Sequence, residues 1–304
     1  MARDLVQPDP GEADGTGSLH PLHASHERTY QENRFVYPVL SRRSEGLSLG
    51  VNLNPDKICN FDCIYCQVDR TVQAETTFVE MDRLIAELDP MLAQALSGEI
   101  FRTAKFRDTP ERFRRLNDIA FSGDGEPTTY RNFPDIVEAC ADVKRRHGAD
   151  EVKLLLISNA SMFHRPHVQR GLEILAENQG EIWAKLETGT QEYYQQVERT
   201  PVPFQQVLDN ITAAAKRWPL VIQSMFMRID NDPPSKDELL AYCGRLNDIM
   251  QAGGQIKLVQ IYTVARPPAE SNVTPLSDLE VDAIFQMVHE HCGIEALPFY
   301  GMPD

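Results

Sequence analysis

The chain has 304 residues, 42% of them hydrophobic, and a formal net charge of −15, which is length enough to bury a sizeable core in one large α/β domain. So acidic a chain lacks a nonspecific grip on nucleic acid, because that grip depends on Lys and Arg neutralising phosphates. No apolar stretch reaches about 18 residues, and the start, Met-Ala-Arg-Asp-Leu-Val-Gln-Pro, has no apolar signal core, so a soluble, cytoplasmic protein with no membrane partner is expected.

Residues 1 to about 30 are rich in Pro, Gly and Asp and poor in aliphatic side chains, with little to offset the entropy of ordering. A flexible N-terminal tail over residues 1–32 is expected, followed by a core domain at 33–304. His20, His23 and His26 recur at three-residue spacing in that tail and read as solvated histidines.

From Arg34 the composition changes. Leu47, Leu49, Val51 and Leu53 alternate with small or polar residues and predict a strand over Leu47–Leu53. Cys59-Asn-Phe-Asp-Cys63-Ile-Tyr-Cys66 follows its carboxyl end, where α/β barrels place their chemistry. Six cysteines with three clustered fit metal ligation in a reducing compartment better than a disulfide framework. Each thiolate of this C-x3-C-x2-C loop can take one iron of a cubane, whereas electron-carrying clusters usually have four cysteine ligands. Three leave one iron open to a small molecule. Zinc wants four ligands and usually closes with a second pair; no second cysteine pair exists, and His164 and His167, a candidate pair, lie about a hundred residues on.

Phe78–Ser97 reads as a helix with an interruption near Pro90. Phe101–Leu116 reads as an insertion with six basic residues (Arg102, Lys105, Arg107, Arg112, Arg114, Arg115) against Asp108 and Glu111. It reads as a solvated helix face or surface loop, with an anionic partner as the alternative. After a strand at Asp118–Ser122 comes Gly123-Asp124-Gly125-Glu126-Pro-Thr128. Its glycines permit close backbone approach, and Glu126 can pair with an amino group.

Helices are then expected near Phe133–His147, Pro166–Glu177, Pro203–Arg217, Ser235–Gln251 and Ser277–Cys292, alternating with strands Val152–Ile157, Ile182–Leu186, Leu220–Met227 and Ile256–Tyr262. Six strand–helix pairs mean a parallel sheet with right-handed crossovers. Polar residues at the later strand ends are pocket candidates: Ser158 and Asn159, Lys185 and Glu187, Gln223 and Ser224, Gln260 and Tyr262. Of these, Asn159, Lys185 and Ser224 are expected to line the pocket. Cys140, Cys243 and Cys292 fall on helices and read as small hydrophobes.

The cysteine loop and the Gly-Asp-Gly-Glu turn together resemble the radical S-adenosylmethionine (radical SAM) superfamily, over about residues 36 to 300. Asp124 stands where the superfamily's commonest turn has a glycine. The resemblance implies an α/β fold, a partial (β/α)6 TIM-like radical SAM barrel open on one side. It implies a [4Fe–4S] cluster on Cys59, Cys63 and Cys66, and S-adenosylmethionine held by Glu126 with Gly123, Asp124 and Gly125 as backbone neighbours. The activity implied is reductive cleavage of S-adenosylmethionine to a 5′-deoxyadenosyl radical that takes hydrogen from a small-molecule or peptide substrate. An external electron donor such as flavodoxin or ferredoxin would serve it.

The flanks Ser41-Arg-Arg-Ser44, Ser48–Leu53, Cys66-Gln67 and Arg266-Pro-Pro-Ala-Glu270 are most similar to the wyosine-synthase-like branch. True wyosine synthases, which modify tRNA, carry a second cluster on upstream cysteines, and no cysteine precedes Cys59 here. A tRNA-modifying wyosine-type enzyme, with tRNA an unlikely partner, is therefore the second reading, beside a radical activase. A non-catalytic iron–sulfur or zinc-binding protein is the alternative of a different class.

Overall fold

The computed structural model of the chain describes residues 30–70, 76–268 and 270–301. The fold begins with β1 (Val36–Ser41), which turns back into β2 (Gly46–Val51) and pairs with it antiparallel from Val36↔Val51 to Ser41↔Gly46. Every residue of β2 is buried, as in a strand covered on both faces. Beyond it run the parallel strands β3 (Leu116–Phe121), β4 (Lys153–Ser158), β5 (Gly180–Lys185), β6 (Leu220–Phe226), β8 (Ile256–Thr263) and β10 (Ala296–Phe299). The short strands β7 (Arg228–Ile229) and β9 (Val273–Thr274) pair separately.

The eight-stranded sheet has the order β1-β2-β3-β4-β5-β6-β8-β10. Because the order never reverses, the sheet curls one way into a half-barrel and is not doubly wound. Helices α1 (Met81–Leu96), α2 (Phe133–Arg146), α3 (Pro166–Glu177), α4 (Gln191–Glu198), α5 (Phe204–Arg217), α6 (Lys236–Gln251) and α7 (Asp278–Cys292) form the connections. Ser235 caps α6 by accepting from Glu238 N, and a capping box of Ser277 and Glu280 starts α7. Among the described residues, no helix is long and apolar enough to cross a membrane.

Strand alternation divides the apolar residues between two cores. Ile119, Phe121, Leu154, Leu156, Ile182, Ile222, Val259 and Ile261 join the large core beneath the helices. Their neighbours Ala120, Leu155, Trp183 and Val221 form a separate apolar cluster, which fills the barrel interior and leaves the strand ends for polar chemistry.

Several expectations change. Pro90 lies inside α1 and does not interrupt it; the buried stripe of Leu84, Leu88, Met91 and Leu92 offsets a proline cost of about 3 kcal/mol. The basic insertion is not a helix face but two short 3-10 turns, Glu99–Arg102 and Glu111–Phe113, anchored by buried Ile100, Phe101 and Phe106. Residues 1–29 of the expected tail, with His20, His23 and His26, lie outside the described residues, whereas Tyr30 is buried with its ring centre 6.5 Å from that of Phe106. The strands β1 and β10 and the helix α4 were absent from the pattern reading. Pro38 and Pro298 sit in β1 and β10, the two edges of the sheet, where a strand tolerates proline.

Asp118 on β3 is buried, its carboxylate accepts from Ser48 Oγ, and burial pushes its pKa from 3.8 up to about 6. A carboxyl raised in this way contributes its full stability while protonated, below about 3.8, and that stability is lost as pH rises toward 6. Asp118→Asn, which keeps the acceptor for Ser48, should match the wild type near pH 4 and exceed it by up to about 3 kcal/mol at pH 7. Denaturant unfolding at the two pH values measures this, and a difference independent of pH would refute it.

Candidate active site

The cysteine loop follows β2 and the Gly-Asp-Gly-Glu turn follows β3, so both stand at the carboxyl ends of adjacent parallel strands. They meet backbone to backbone. A Cβ on Gly125 would fall 2.2 Å from Ile58 O, and one on Gly123 would fall 2.2 Å from Asn52 Oδ1. Asn52 ties the two further: its Nδ2 donates to Asp124 Oδ2 at 2.7 Å, and its Oδ1 accepts from Asp124 N at 3.1 Å.

The loop's other side rests on the end of α4, where Asp62 N and Ile64 N donate to Glu198 O and Val197 O at 3.1 and 2.9 Å. Asn159, just past β4, holds it from the middle, donating through Nδ2 to Asn60 Oδ1 at 3.0 Å while its Oδ1 accepts from Ser161. Sequence reading missed these ties. Asn52 and Asn60 stand at strand-end and loop positions where such residues cap turns, but their partners are remote in sequence.

Cys59, Cys63 and Cys66 are free thiols and line one cavity of about 290 Å³, together with Gly123, Asp124, Gly125, Glu126, Asn159 and Lys185. Ser224 does not join them. On β6 it is Gln223 and Met225 that line the cavity, and Ser224 faces the other way, donating to Leu186 O at 2.7 Å and lying 2.5 Å from Tyr242 Oη on α6. Ser158 and Tyr262 also line the cavity, whereas Glu187 and Gln260 do not. His164 and His167 are absent from it and contact Asn210 and Thr128 instead.

Glu126 is buried and heavily engaged. Its Oε1 accepts from Thr128 N, Thr128 Oγ1 and Ser158 Oγ at 3.1, 2.5 and 2.7 Å, while its Oε2 accepts only from Asn159 N at 2.8 Å. Burial raises its pKa, and the donors from Thr128, Asn159 and Ser158 oppose the rise. Lys185 Nζ donates to Tyr65 Oη at 2.9 Å and lies 3.3 Å from Glu187 Oε1, which also accepts from Tyr65 at 3.0 Å. Burial would lower the Lys185 pKa, but Tyr262, Glu187, Cys63 and Glu198 around it raise it on balance. The ammonium thus fixes Tyr65, which lies between the second and third cysteines.

Burial pushes up the pKa of Cys59, and burial with the nearby Glu198 pushes that of Cys63 well above its ordinary value. Thiolates form at such positions only when a strong positive charge compensates, and a bound metal supplies one. In this structure the thiols are not gathered to one point: Cys63 Sγ donates to Glu198 Oε2 at 2.7 Å. Among the described residues no three His, Cys, Asp or Glu side chains are arranged to hold a metal ion. The donor set still fits an iron–sulfur cluster in its chemistry, with three free thiols of one loop opening on one cavity. On the far wall Gln223 Oε1 is buried without a hydrogen-bond partner among the described residues, an acceptor left for a ligand.

The radical SAM superfamily model matches residues 53–237, more than half of the chain, and the chain belongs to that superfamily. Solved structures share the fold. A radical SAM methyltransferase from Sphaerobacter thermophilus aligns with a TM-score of 0.59 at 11% identity, covering 87% of this chain and 69% of that one. The structure of TYW1 with a lysine–pyruvate adduct bound aligns with a TM-score of 0.51 at 14% identity, covering 86% and 85%. A UPF0026 protein of Helicobacter pylori is 31% identical over 137 residues, 45% of this chain and 38% of its own. The chain spans between 34% and 38% of the length of the curated relatives it matches. The superfamily is one of enzymes that generally use a [4Fe–4S] cluster and S-adenosylmethionine.

Gly125→Ala should displace the cysteine loop without altering any ligand, since the new methyl would meet Ile58 O at 2.2 Å. Reduced iron uptake on reconstitution is expected, together with a melting midpoint lowered by a few degrees. Gly244→Ala, inside α6 with nothing within 4 Å of its added Cβ, should leave iron uptake unchanged and, if anything, raise the midpoint, since alanine is the better helix former. Equal iron content in the two variants would show that the close approach does not position the loop.

Proposed function

We propose that Cys59, Cys63 and Cys66 hold one [4Fe–4S] cluster, and that the enzyme cleaves S-adenosylmethionine reductively within a core domain of residues 33–304. The observation that supports this reading is that three thiols and a buried carboxylate from the next strand open on one cavity. When bound, the cluster delivers an electron to the sulfonium of S-adenosylmethionine, releasing methionine and a 5′-deoxyadenosyl radical that takes hydrogen from the substrate.

The chain's own residues orient and enclose. Glu126 Oε2, with one donor against the three on Oε1, has capacity for the methionine ammonium. Gly123 and Gly125 let the turn lie against the cysteine loop, and Asn159 holds that loop at fixed height. The apolar cluster of Ala120, Leu155, Trp183 and Val221 keeps water from the lumen, where a reactive intermediate needs shelter. Ser224 has no part in this site. Electrons come from an external donor of the flavodoxin or ferredoxin kind, and the substrate is a small molecule or peptide. A tRNA substrate is disfavoured by the net charge of −15 and because no residue of the basic stretch 102–115 lines the cavity.

Anaerobic reconstitution should load about four irons per chain, and replacing all three loop cysteines by Ala should abolish the brown chromophore. Glu126→Gln should keep the cluster spectrum while S-adenosylmethionine affinity falls about tenfold to a hundredfold, the effect of losing one charge-assisted hydrogen bond. A cluster that survives the triple substitution would refute the ligand assignment. An unchanged dissociation constant in Glu126→Gln would remove that carboxylate from the site.

A further inference from the structure

The cavity's charge runs against that of the chain. In a protein of formal net charge −15, its lining carries Arg42, Arg43, Arg70, Lys185 and Arg266 against only Asp124 and Glu126. Several of these are committed elsewhere. Lys185 is paired with Glu187, Arg70 with Asp62, and Glu126 is engaged by Thr128, Ser158 and Asn159. Arg43 at the open side of the barrel remains, with Arg42 and Arg266 near it on the cavity lining.

Arg42 and Arg43 lie in the turn between β1 and β2, and β1 and β10 are the two edges of the sheet. Arg42 Nη1 donates to Tyr300 O just past β10 at 2.7 Å, and the Arg43 guanidinium lies 4.6 Å from the ring centre of Tyr262 near the end of β8. The turn therefore crosses the seam and places both guanidiniums on the cavity wall. Arg266 stands on the same wall in the loop after β8, and its carbonyl accepts from Gln67 Nε2 at 2.9 Å, next to the third cysteine.

Among the described residues Arg43 makes no hydrogen bond or ion pair; it lies over the face of Tyr262, so the plane of its fork is held while its N–H donors stay uncommitted. Arg42 is crowded, with burial and then the charge of Arg43 pushing its pKa down to about 10. Like charges gathered in a half-enclosed wall are offset when an anion sits between them. A guanidinium fork matches a carboxylate or a phosphate in bidentate geometry.

We infer that the substrate carries a carboxylate or phosphate group, and that Arg43, with Arg42 and Arg266 beside it, receives it at the seam of the half-barrel. This rests on the function proposed above and names the class of molecule that site takes. The carboxylate-bearing turn follows β3 and the seam lies at β1, β8 and β10, so the anion and the methionine ammonium are assigned to different walls. The basic insertion plays no part, since none of its residues reaches the cavity.

Inorganic phosphate and acetate, titrated calorimetrically into cluster-reconstituted protein saturated with S-adenosylmethionine, test the inference. At least one of the two should bind at a single saturable site, and the tighter one identifies the group. Arg43→Gln and Arg266→Gln should each weaken that binding at least about tenfold, with iron content and S-adenosylmethionine affinity unchanged, whereas Arg112→Gln in the insertion should bind as the wild type does. The inference is overturned if neither anion saturates, if the two arginine variants bind like the wild type, or if the anions bind only when S-adenosylmethionine is absent. The last result would assign these arginines to the cofactor's own carboxylate. Unmodified tRNA that displaces phosphate from this site would overturn it as well, in favour of RNA. Should the protein take up neither iron nor S-adenosylmethionine, the function proposed above fails; the same titration and variants in that protein still decide whether the seam binds an anion.

Discussion

The place a side chain would take on Gly125 is filled by the carbonyl oxygen of Ile58, 2.2 Å from where the Cβ would stand. The contact joins the loop that carries the cysteines to the turn that carries Glu126. Adjacency of β2 and β3 brings the two within reach, Asn52 ties them on one side, and the end of α4 supports the cysteine loop on the other. Without so close an approach the thiols and the carboxylate would not share a wall of one cavity. Much of what lies below serves to hold those strand ends in place.

The electrostatics of the site follow from enclosure. Burial disfavours the charged form of every group it covers, which is why Cys59, Cys63 and Glu126 all have raised pKa values. Glu198, against Cys63, is driven in the same direction by burial and then by Glu187. Lys185 stays charged because acidic and phenolic groups surround it. Charges in the site are thus held by counter-ions or by hydrogen bonds, and an arginine without a hydrogen-bond or ion-pair partner among the described residues, as Arg43 is, stands out.

How much of this was legible in the sequence depended on how local the determinant was. The C-x3-C-x2-C spacing and the Gly-Asp-Gly-Glu turn are contiguous, and the alternation of strands and helices follows from apolar periodicity, so membership and barrel were readable at once. Ser224 was misplaced because β6 is buried on both faces; with apolar residues at Leu220, Val221 and Ile222 alike, the pattern has no phase, and Gln223 was as good a choice. Arg42 and Arg43 were visible only as a flanking motif. Their role on the cavity wall arises from a turn that meets Tyr300 across a separation of 258 residues, which no local pattern encodes. The edge strands were hidden by their prolines, and α4 by its eight-residue length and polar content.

The most direct test of the central claim is the formation of 5′-deoxyadenosine from S-adenosylmethionine by the anaerobically reconstituted, chemically reduced protein, followed by mass spectrometry. The account predicts that the wild type forms it and that the variant lacking Cys59, Cys63 and Cys66 does not. A protein that carries its four irons, binds S-adenosylmethionine and accepts an electron, yet releases no 5′-deoxyadenosine, would contradict it.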